Sequence, residues 1–178
     1  PLPVERRFGV FPPVMDISNP ASWQFIQALV AEWRPLFPDP YLHIGGDEVK
    51  ADYWLANSKI RQLMQAQQLA DGSALQAYFN QRLALILQKQ QRRMIGWDEI
   101  LHPQLPKTTL VQSWQGQDAL GDAVRAGHPA LLSAGFYLDM PQPAVYHWQN
   151  DPLLVTAPLP QPQQTQQQLQ FAYSLQRL

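Results

Sequence analysis

Cysteine is absent from the 178-residue chain. Its absence excludes disulfide bonds and thiolate metal sites, but it does not identify the compartment, because exported proteins can also lack cysteine. An excess of charge of either sign is missing too, since 13 basic and 14 acidic residues give a net charge of −1. The sequence therefore gives no electrostatic reason to expect a nucleic acid or an anionic membrane surface as a partner.

Long apolar runs are also missing, and none approaches the ~20 residues that cross a bilayer. We therefore expect no membrane partner. No signal peptide is visible, and because the chain opens at Pro1 within the expected fold, we expect any such segment to lie upstream. Aromatic residues are plentiful, with six Trp, six Tyr and seven Phe. They suit a protein core and also sugar binding, because aromatic faces pack well against apolar ring faces.

The most informative stretch of the sequence covers residues 41–49, Tyr-Leu-His-Ile-Gly-Gly-Asp-Glu-Val. Residues 41–44 are predicted to form a short buried strand, and two glycines then lead into Asp47 and Glu48. Barrel and other α/β enzymes place their chemistry just past the carboxyl ends of their strands. The alternative interpretation is a loop that carries two solvated acids.

Strand and helix patterns alternate along most of the chain. Helices are predicted over residues 20–35, 52–67, 72–91 and 118–126, and strands over residues 41–44, 92–96, 109–113 and 130–133. The first helix begins with a capping Asn19 before Pro20, and its tryptophans Trp23 and Trp33 are predicted to lie in the core. This alternation is typical of parallel βαβ units.

Four segments together resemble a known family. His-Ile-Gly-Gly-Asp-Glu-Val at residues 43–49 resembles the signature of the family 20 glycoside hydrolases, the β-N-acetylhexosaminidases. Three later segments resemble the strand-end motifs that follow in this family, in the same order: Gly-Trp-Asp-Glu-Ile at 96–100, Val-Gln-Ser-Trp-Gln-Gly at 111–116 and Gly-Phe-Tyr-Leu-Asp at 135–139. The resemblance extends over roughly residues 5–155.

The resemblance implies an α/β fold, a partial (β/α)8 TIM barrel. A complete barrel typically needs about 250 residues, so we expect residues 1–155 to supply about the fourth to seventh βα units. Residues 156–178 are predicted to be a Pro/Gln-rich connector that leads into a β element. The family's early strands, and its last strand with a Trp-x-Glu element, have no counterpart in the sequence. Such a partial barrel exposes two strand edges, which favours self-association.

The resemblance also implies a catalytic division of labour between Asp47 and Glu48. Glu48 corresponds to the general acid/base, and Asp47 to the residue that orients and polarises the 2-acetamido group of the sugar. In this family the acetamido oxygen is the nucleophile, which makes it an exception to the usual pair of separated carboxylates. The implied reaction is removal of terminal β-linked N-acetylhexosamine (GlcNAc or GalNAc) from an oligosaccharide, with retention and without a cofactor.

Four more residues match the family's substrate contacts. Tyr137 corresponds to the tyrosine that hydrogen-bonds the acetamido oxygen, and Asp139 to the acid that binds hydroxyls of the terminal sugar. Trp97 and Trp114 correspond to tryptophans that wall the acetamido pocket, where a methyl group and a planar amide favour aromatic surfaces. For either tryptophan, the alternative is a core position.

The remaining histidines and acids suggest mostly structural roles. His43 is predicted to be a hydrogen-bonded core histidine, and Glu99 to hold the loop of Trp97. His147 and Trp148 follow the last motif and are weaker candidates for the rim of the pocket. No HxxxH or HExxH pattern supports a metal site.

Three hypotheses remain at this level. The first is an exo-acting β-N-acetylhexosaminidase, which the resemblance places in the periplasm or outside the cell. In this hypothesis the 178 residues alone are expected to be inactive. The second is a non-catalytic barrel fragment with a structural or sugar-binding role. The third is a metal-dependent hydrolase that uses Asp47, Glu48, Asp98 and Glu99.

Overall fold

The structure is a computed structural model that describes residues 14–152 and, before them, Arg6, Phe8 and Phe11. The predicted Pro/Gln-rich connector and its β element lie outside the described residues. The described chain contains one sheet of four strands in the order β1–β2–β3–β4. These strands are β1 (Tyr41–His43), β2 (Arg93–Trp97), β3 (Leu110–Ser113) and β4 (Ala130–Leu132).

The sheet brings the ends of consecutive strands to the same edge. β2 pairs with β3 in parallel, with Trp97 opposite Gln112. β3 pairs with β4 in parallel, with Gln112 opposite Leu131. Just after β1, the Ile44 amide donates a 2.9 Å hydrogen bond to the Ile95 carbonyl of β2. The residues that follow these strands are therefore neighbours at the carboxyl edge.

Helices lie between β1 and β2 and between β3 and β4, whereas only a 3₁₀ turn and a loop lie between β2 and β3. The predicted α/β class is confirmed, but the strict alternation of strands and helices is not. The helices are α1 (Pro20–Leu36), α2 (Asp52–Ala56), α3 (Ser58–Gln67), α4 (Gly72–Lys89), α5 (Gln117–Arg125) and α6 (Ala144–Trp148). A short 3₁₀ turn, Asp98–Ile100, follows β2 directly. Within the part of the chain that the structure describes, no helix is both long and apolar enough to cross a membrane.

Capping side chains explain where several helices begin. Asn19 accepts a hydrogen bond from the Ala21 amide at the start of α1, as predicted. Asp71 caps α4 in the same way. The single helix predicted over residues 52–67 is wrong, because Asn57 adopts an extended conformation and its side chain accepts from the Lys59 amide. Such a residue ends one helix and starts the next.

Two other local predictions need correction. Trp33 was predicted to lie in the core, but 38% of its surface is exposed and its ring meets Phe37 edge-on. The first helix was predicted to end at residue 35, yet α1 continues to Leu36. Helix α6 was not predicted, because its five residues are too few to display a helical period.

The chain divides into two compact units. The first comprises Pro1–Leu42 and Glu48–Arg92, and the second His43–Asp47 and Arg93–Leu178. In the first unit, Trp23 is buried, and its indole N–H donates a 2.9 Å hydrogen bond to the Ile17 carbonyl. The Arg82 guanidinium lies 4.2 Å from the centre of the Trp23 ring. This tryptophan therefore has the core position that was predicted for it.

In the second unit, buried apolar residues come from the sheet, from α5 and from the 3₁₀ turn. Val111 and Ala123 are completely buried, and Ile100 is 1% exposed. His128 is buried beside them, and its Nδ1 lies 3.3 Å from the Thr109 carbonyl oxygen. Burial lowers the pKa of His128, and the nearby Lys107 charge lowers it further, against the opposing effect of the Thr109 hydrogen bond. The core thus fixes the strands whose ends carry the candidate site.

Candidate active site

The turn after β1 has a backbone that only glycine adopts easily. Gly45 and Gly46 have positive φ angles of 70° and 95°, and Glu48 has a positive φ of 48°. For a glutamate this left-handed conformation is uncommon and points to a constrained position. The Gly45 carbonyl accepts a 3.0 Å hydrogen bond from the Trp97 amide, which anchors the turn to β2. Asp47 and Glu48 both have exposed side chains.

The boundary between the two units falls between the two acids. Asp47 is the last residue of the segment His43–Asp47 of the second unit, and Glu48 is the first residue of the segment Glu48–Arg92 of the first unit. Among the residues that the structure describes, the Glu48 carboxylate has no hydrogen-bond or ion-pair partner. The other five predicted site residues, Asp47, Trp97, Trp114, Tyr137 and Asp139, all belong to the second unit.

His43 lies at the end of β1 and links the turn to the neighbouring strands. Its Nδ1 accepts a 3.0 Å hydrogen bond from the Gly45 amide, and its ring packs edge-on against Trp97 with centroids 4.9 Å apart. Burial lowers the pKa of His43, although the Asp47 charge and a side-chain hydrogen bond to Gln112 raise it. Because Nδ1 accepts, the neutral ring carries its proton on Nε2.

The predicted hydrogen bonding of His43 is confirmed, but its predicted core position is wrong. A substantial part of its surface is exposed. Trp97 nevertheless packs against the ring, and partial burial lowers the pKa of His43. The sequence did offer one signal that His43 lies beside the turn rather than in the core, because His43 and Asp47 lie on either side of the two glycines.

Trp114 follows β3 and is held by a carboxylate from the turn after β2. Its indole N–H lies 3.1 Å from Oε1 and 3.0 Å from Oε2 of Glu99. Glu99 was predicted to hold the loop of Trp97, and that partner is wrong. Trp97 and Trp114 are each half-buried, so neither side chain occupies a fully buried core position.

Asp98 fixes the backbone next to Trp114. Its side chain is buried, and Oδ2 accepts a 3.1 Å hydrogen bond from the Gln115 amide. The Ser113 hydroxyl oxygen lies 3.1 Å from the same Oδ2 and 2.6 Å from the Gly116 carbonyl. Since a hydroxyl has only one proton, these two acceptors share it. Sequence reasoning missed this role, which depends on contacts between two strand ends.

The loop after β4 carries Tyr137, which is half-buried, and Asp139, which is exposed. Gly135 opens this loop with a φ of 83°, and a side chain there would lie within 2.4 Å of the Asn150 side chain. His147 on α6 has its Nδ1 2.6 Å from the Gly135 carbonyl oxygen, so this nitrogen donates. Helix α6 therefore fixes the base of the Tyr137 loop.

The two weaker rim candidates differ in their contacts. His147 takes part in the hydrogen bond just described, whereas Trp148 is 87% exposed. Among the described residues, the Tyr137 hydroxyl and the Asp139 carboxylate have no hydrogen-bond partner.

The hypothesis of a metal-dependent hydrolase receives no support from the geometry. In the described part of the chain, no group of three or more His, Cys, Asp or Glu side chains lies close enough together to hold a metal ion. Asp98 and Glu99 are instead engaged with Gln115 and Trp114.

Comparison with known proteins places the chain in a family. The model of the glycosyl hydrolase family 20 catalytic domain matches residues 2–174. The chain is 38% identical over 148 residues to a β-hexosaminidase of Porphyromonas gingivalis, covering 82% of the chain and 18% of that protein. It is 35% identical over 137 residues to β-hexosaminidase subunit A2 of Dictyostelium discoideum, covering 75% of the chain and 25% of that subunit.

Solved structures show the same similarity. The Flavobacterium johnsoniae chitobiase matches with a TM-score of 0.77 and 41% identity over 83% of this chain and 24% of that one. The Vibrio harveyi exo-β-N-acetylglucosaminidase, solved with N-acetylglucosamine, matches with a TM-score of 0.75 and 28% identity over 86% of this chain and 27% of that one.

The four-stranded sheet and its similarity to the Flavobacterium johnsoniae chitobiase define the chain as part of an α/β barrel. The chain belongs to glycosyl hydrolase family 20. It spans about a quarter or less of the length of these relatives.

Proposed function

We propose that the protein removes terminal β-linked N-acetylhexosamine from the non-reducing ends of oligosaccharides. The observation that carries this proposal is the Asp47–Glu48 pair, exposed just past β1 in a chain of this family. The names of the similar proteins, β-hexosaminidase and exo-β-N-acetylglucosaminidase, support the same substrate class. A match to a catalytic domain does not favour the alternative of a non-catalytic fragment.

The proposed reaction uses the acetamido group of the substrate as its nucleophile. The acetamido oxygen attacks the anomeric carbon while Glu48 gives a proton to the leaving oxygen, which forms an oxazolinium intermediate. Water then attacks the anomeric carbon from the side that the leaving group vacated, and Glu48 takes its proton. Two inversions at one carbon give net retention. The exposed carboxylate of Glu48 suits a group that must reach a substrate oxygen.

Asp47 and Tyr137 act on the acetamido group in this scheme. Asp47 accepts from the amide N–H and stabilises the positive charge that develops there. The Tyr137 hydroxyl donates to the acetamido oxygen and holds it in line with the anomeric carbon. The open hydrogen-bonding capacity of the Tyr137 hydroxyl is consistent with this role.

Trp97 and Trp114 provide the apolar walls for the acetamido methyl group. Both rings are half-buried, so each has an anchored side and an open side. Asp139 is exposed at the loop after β4 and is suited to bind sugar hydroxyls as an acceptor. An oligosaccharide is therefore the proposed partner.

A comparison of two substrates tests the proposed nucleophile in the full-length protein, meaning the longest natural form that contains this chain. We expect hydrolysis of p-nitrophenyl β-GlcNAc and inhibition by GlcNAc-thiazoline, which mimics the oxazolinium intermediate. The matching glucoside lacks the acetamido group and should react orders of magnitude more slowly, because an intramolecular nucleophile can lower the barrier by about 7–11 kcal/mol at best. Comparable turnover of the glucoside without thiazoline inhibition would indicate a carboxylate nucleophile and overturn these roles.

A further inference from the structure

The contact between Glu99 and Trp114 joins two strand ends. Both Glu99 oxygens lie within 3.1 Å of the single indole N–H of Trp114, so this donor is shared between them. A hydrogen bond to a carboxylate is shorter and stronger than one between neutral groups. Rotation of the Trp114 side chain would break the bond and leave the indole N–H without its acceptor. The orientation of the indole plane is therefore coupled to the position of Glu99.

The position of Glu99 is itself fixed. It is the middle residue of the 3₁₀ turn Asp98–Ile100, whose other two members are buried, with Ile100 only 1% exposed. Because both neighbours are buried, the backbone of Glu99 is held in one position. Glu99 is half-buried, so the contact is partly shielded from water.

The backbone around Trp114 is held separately by Asp98. This carboxylate accepts from the Gln115 amide and also from its side-chain amide, at 3.1 and 3.3 Å. One acid of the turn thus holds the backbone after β3, and its neighbour holds the ring.

We propose that Glu99 is a positioning residue that sets the orientation of Trp114 and thereby the shape of the acetamido pocket. This inference rests on the proposed function, because it takes Trp114 as a wall of that pocket. Glu99 acts through the indole and has no contact with the reacting atoms. Its removal should therefore weaken recognition of the acetamido group more than it weakens the fold.

The test uses three variants of the full-length protein. Glu99→Leu removes the acceptor, Glu99→Gln retains one oxygen acceptor, and Trp114→Phe removes the indole N–H but keeps an aromatic face. We expect Glu99→Leu to raise the inhibition constant of GlcNAc-thiazoline about 10-fold or more, because hydrogen bonds to charged groups are the stronger ones. Glu99→Gln should stay within about threefold of the unmodified protein, since it can still accept from the indole.

Combining the variants separates a role through Trp114 from an independent one. If Glu99 acts through the indole, the double variant Glu99→Leu/Trp114→Phe should lose no more affinity than the worse single variant. Losses that multiply would overturn the proposal, as would unchanged thiazoline affinity in a folded Glu99→Leu protein. Circular dichroism of each variant checks the fold.

A spectroscopic readout keeps this inference separate from the proposed function. In 15N–1H spectra, the indole N–H of Trp114 is assigned by its loss in Trp114→Phe. We expect slow solvent exchange in the unmodified protein and faster exchange in Glu99→Leu, with rescue in Glu99→Gln. If the protein neither hydrolyses GlcNAc substrates nor binds thiazoline, the proposed function fails. Equal exchange in all forms would overturn the positioning contact itself.

Discussion

The chain contains two Asp–Glu pairs, and each one follows a strand of the same sheet. Asp47–Glu48 comes after β1, and Asp98–Glu99 comes directly after β2. Both members of the first pair are exposed. In the second pair Asp98 is buried, and both carboxylates accept hydrogen bonds from the loop after β3. The same two residue types at equivalent places in the topology therefore have opposite environments.

The backbone before each pair accounts for this difference. Two glycines with positive φ precede Asp47 and turn the chain away from the strand, so its acids point to solvent. Before the second pair, the strand runs to Trp97 and passes straight into a 3₁₀ turn that stays packed on the sheet. The first arrangement leaves acids available for chemistry, and the second uses them to build a loop.

The largest expected difference between the two pairs is in how much activity is lost when the glutamate is replaced. Glu48→Gln should lower kcat for substrates with poor leaving groups by about 10²–10⁴-fold, because a positioned general acid contributes that much. Binding of GlcNAc should stay nearly unchanged. The matched control, Glu99→Gln, should lose little activity since it keeps an acceptor for Trp114. Near-normal hydrolysis by Glu48→Gln in steady-state kinetics would contradict the role of Glu48.

The aspartates should separate activity from stability. Asp47→Asn should lower kcat about 10²-fold, since in the proposed reaction it removes a charge that stabilises the transition state. Its thermal unfolding should stay unchanged. Asp98→Asn should instead destabilise the fold by about 1–3 kcal/mol, because both buried Asp98 oxygens accept from separate Gln115 N–H groups and Asn would set an NH2 donor against one of them. Urea unfolding and initial rates measure both. An unstable Asp47→Asn protein, or a stable Asp98→Asn protein with low activity, would contradict the assignment of Asp47 to catalysis and of Asp98 to stability.

Gly96 determines how closely β2 approaches the turn that carries the first pair. A side chain at this position would meet the Gly45 carbonyl oxygen at 2.9 Å and Ile100 Cδ1 at 2.8 Å. The oxygen belongs to backbone and cannot move easily, so Gly96→Ala should destabilise the protein by about 1–3 kcal/mol. Differential scanning calorimetry would measure this loss. An unchanged melting temperature would mean that the turn after β1 tolerates displacement.

The smallest expected effect is on the pH dependence of stability, and it comes from His43, which lies beside the first pair. Burial lowers the pKa of His43 below 6.5, so the unfolded chain binds a proton more readily than the folded one. Stability from His43 is therefore complete above pH 6.5 and is lost as pH falls below that value. His43→Asn, which can still accept from the Gly45 amide, should reduce the slope of unfolding free energy against pH there.

His128 provides the reference for this measurement. Its pKa is also lowered, mainly by burial, so it contributes a slope of the same sign. That slope should persist in the His43→Asn protein. An identical pH dependence in the unmodified and His43→Asn proteins would show that His43 does not contribute to the loss.

Much of the architecture could be predicted from the sequence, because its signals are local. Asn19 starts α1 as expected, and each predicted strand was found within about two residues of its position. Asn57 was the exception, since its capping role was hidden inside a continuous helical pattern. Helix α6 carried too little sequence to show a period.

The site was only partly predictable for a different reason. Family motifs identified the candidate residues, but the partner of Glu99 was wrong. The Trp114 indole lies 15 residues further along the chain and comes from the next strand. No local pattern encodes a contact that depends on the register of two parallel strands. His43 was assigned to the core for a similar reason, because exposure depends on its neighbours.

The sequence by itself determined the order of strands and helices, the places where the chain turns, and the family to which the chain belongs. It also supplied two Asp–Glu pairs that are chemically alike. Only the tertiary structure decided that Asp47 and Glu48 remain open while Asp98 and Glu99 are engaged. The physical reason is that hydrogen-bond partners and solvent access are set by neighbouring strands, which the sheet brings together from distant parts of the chain.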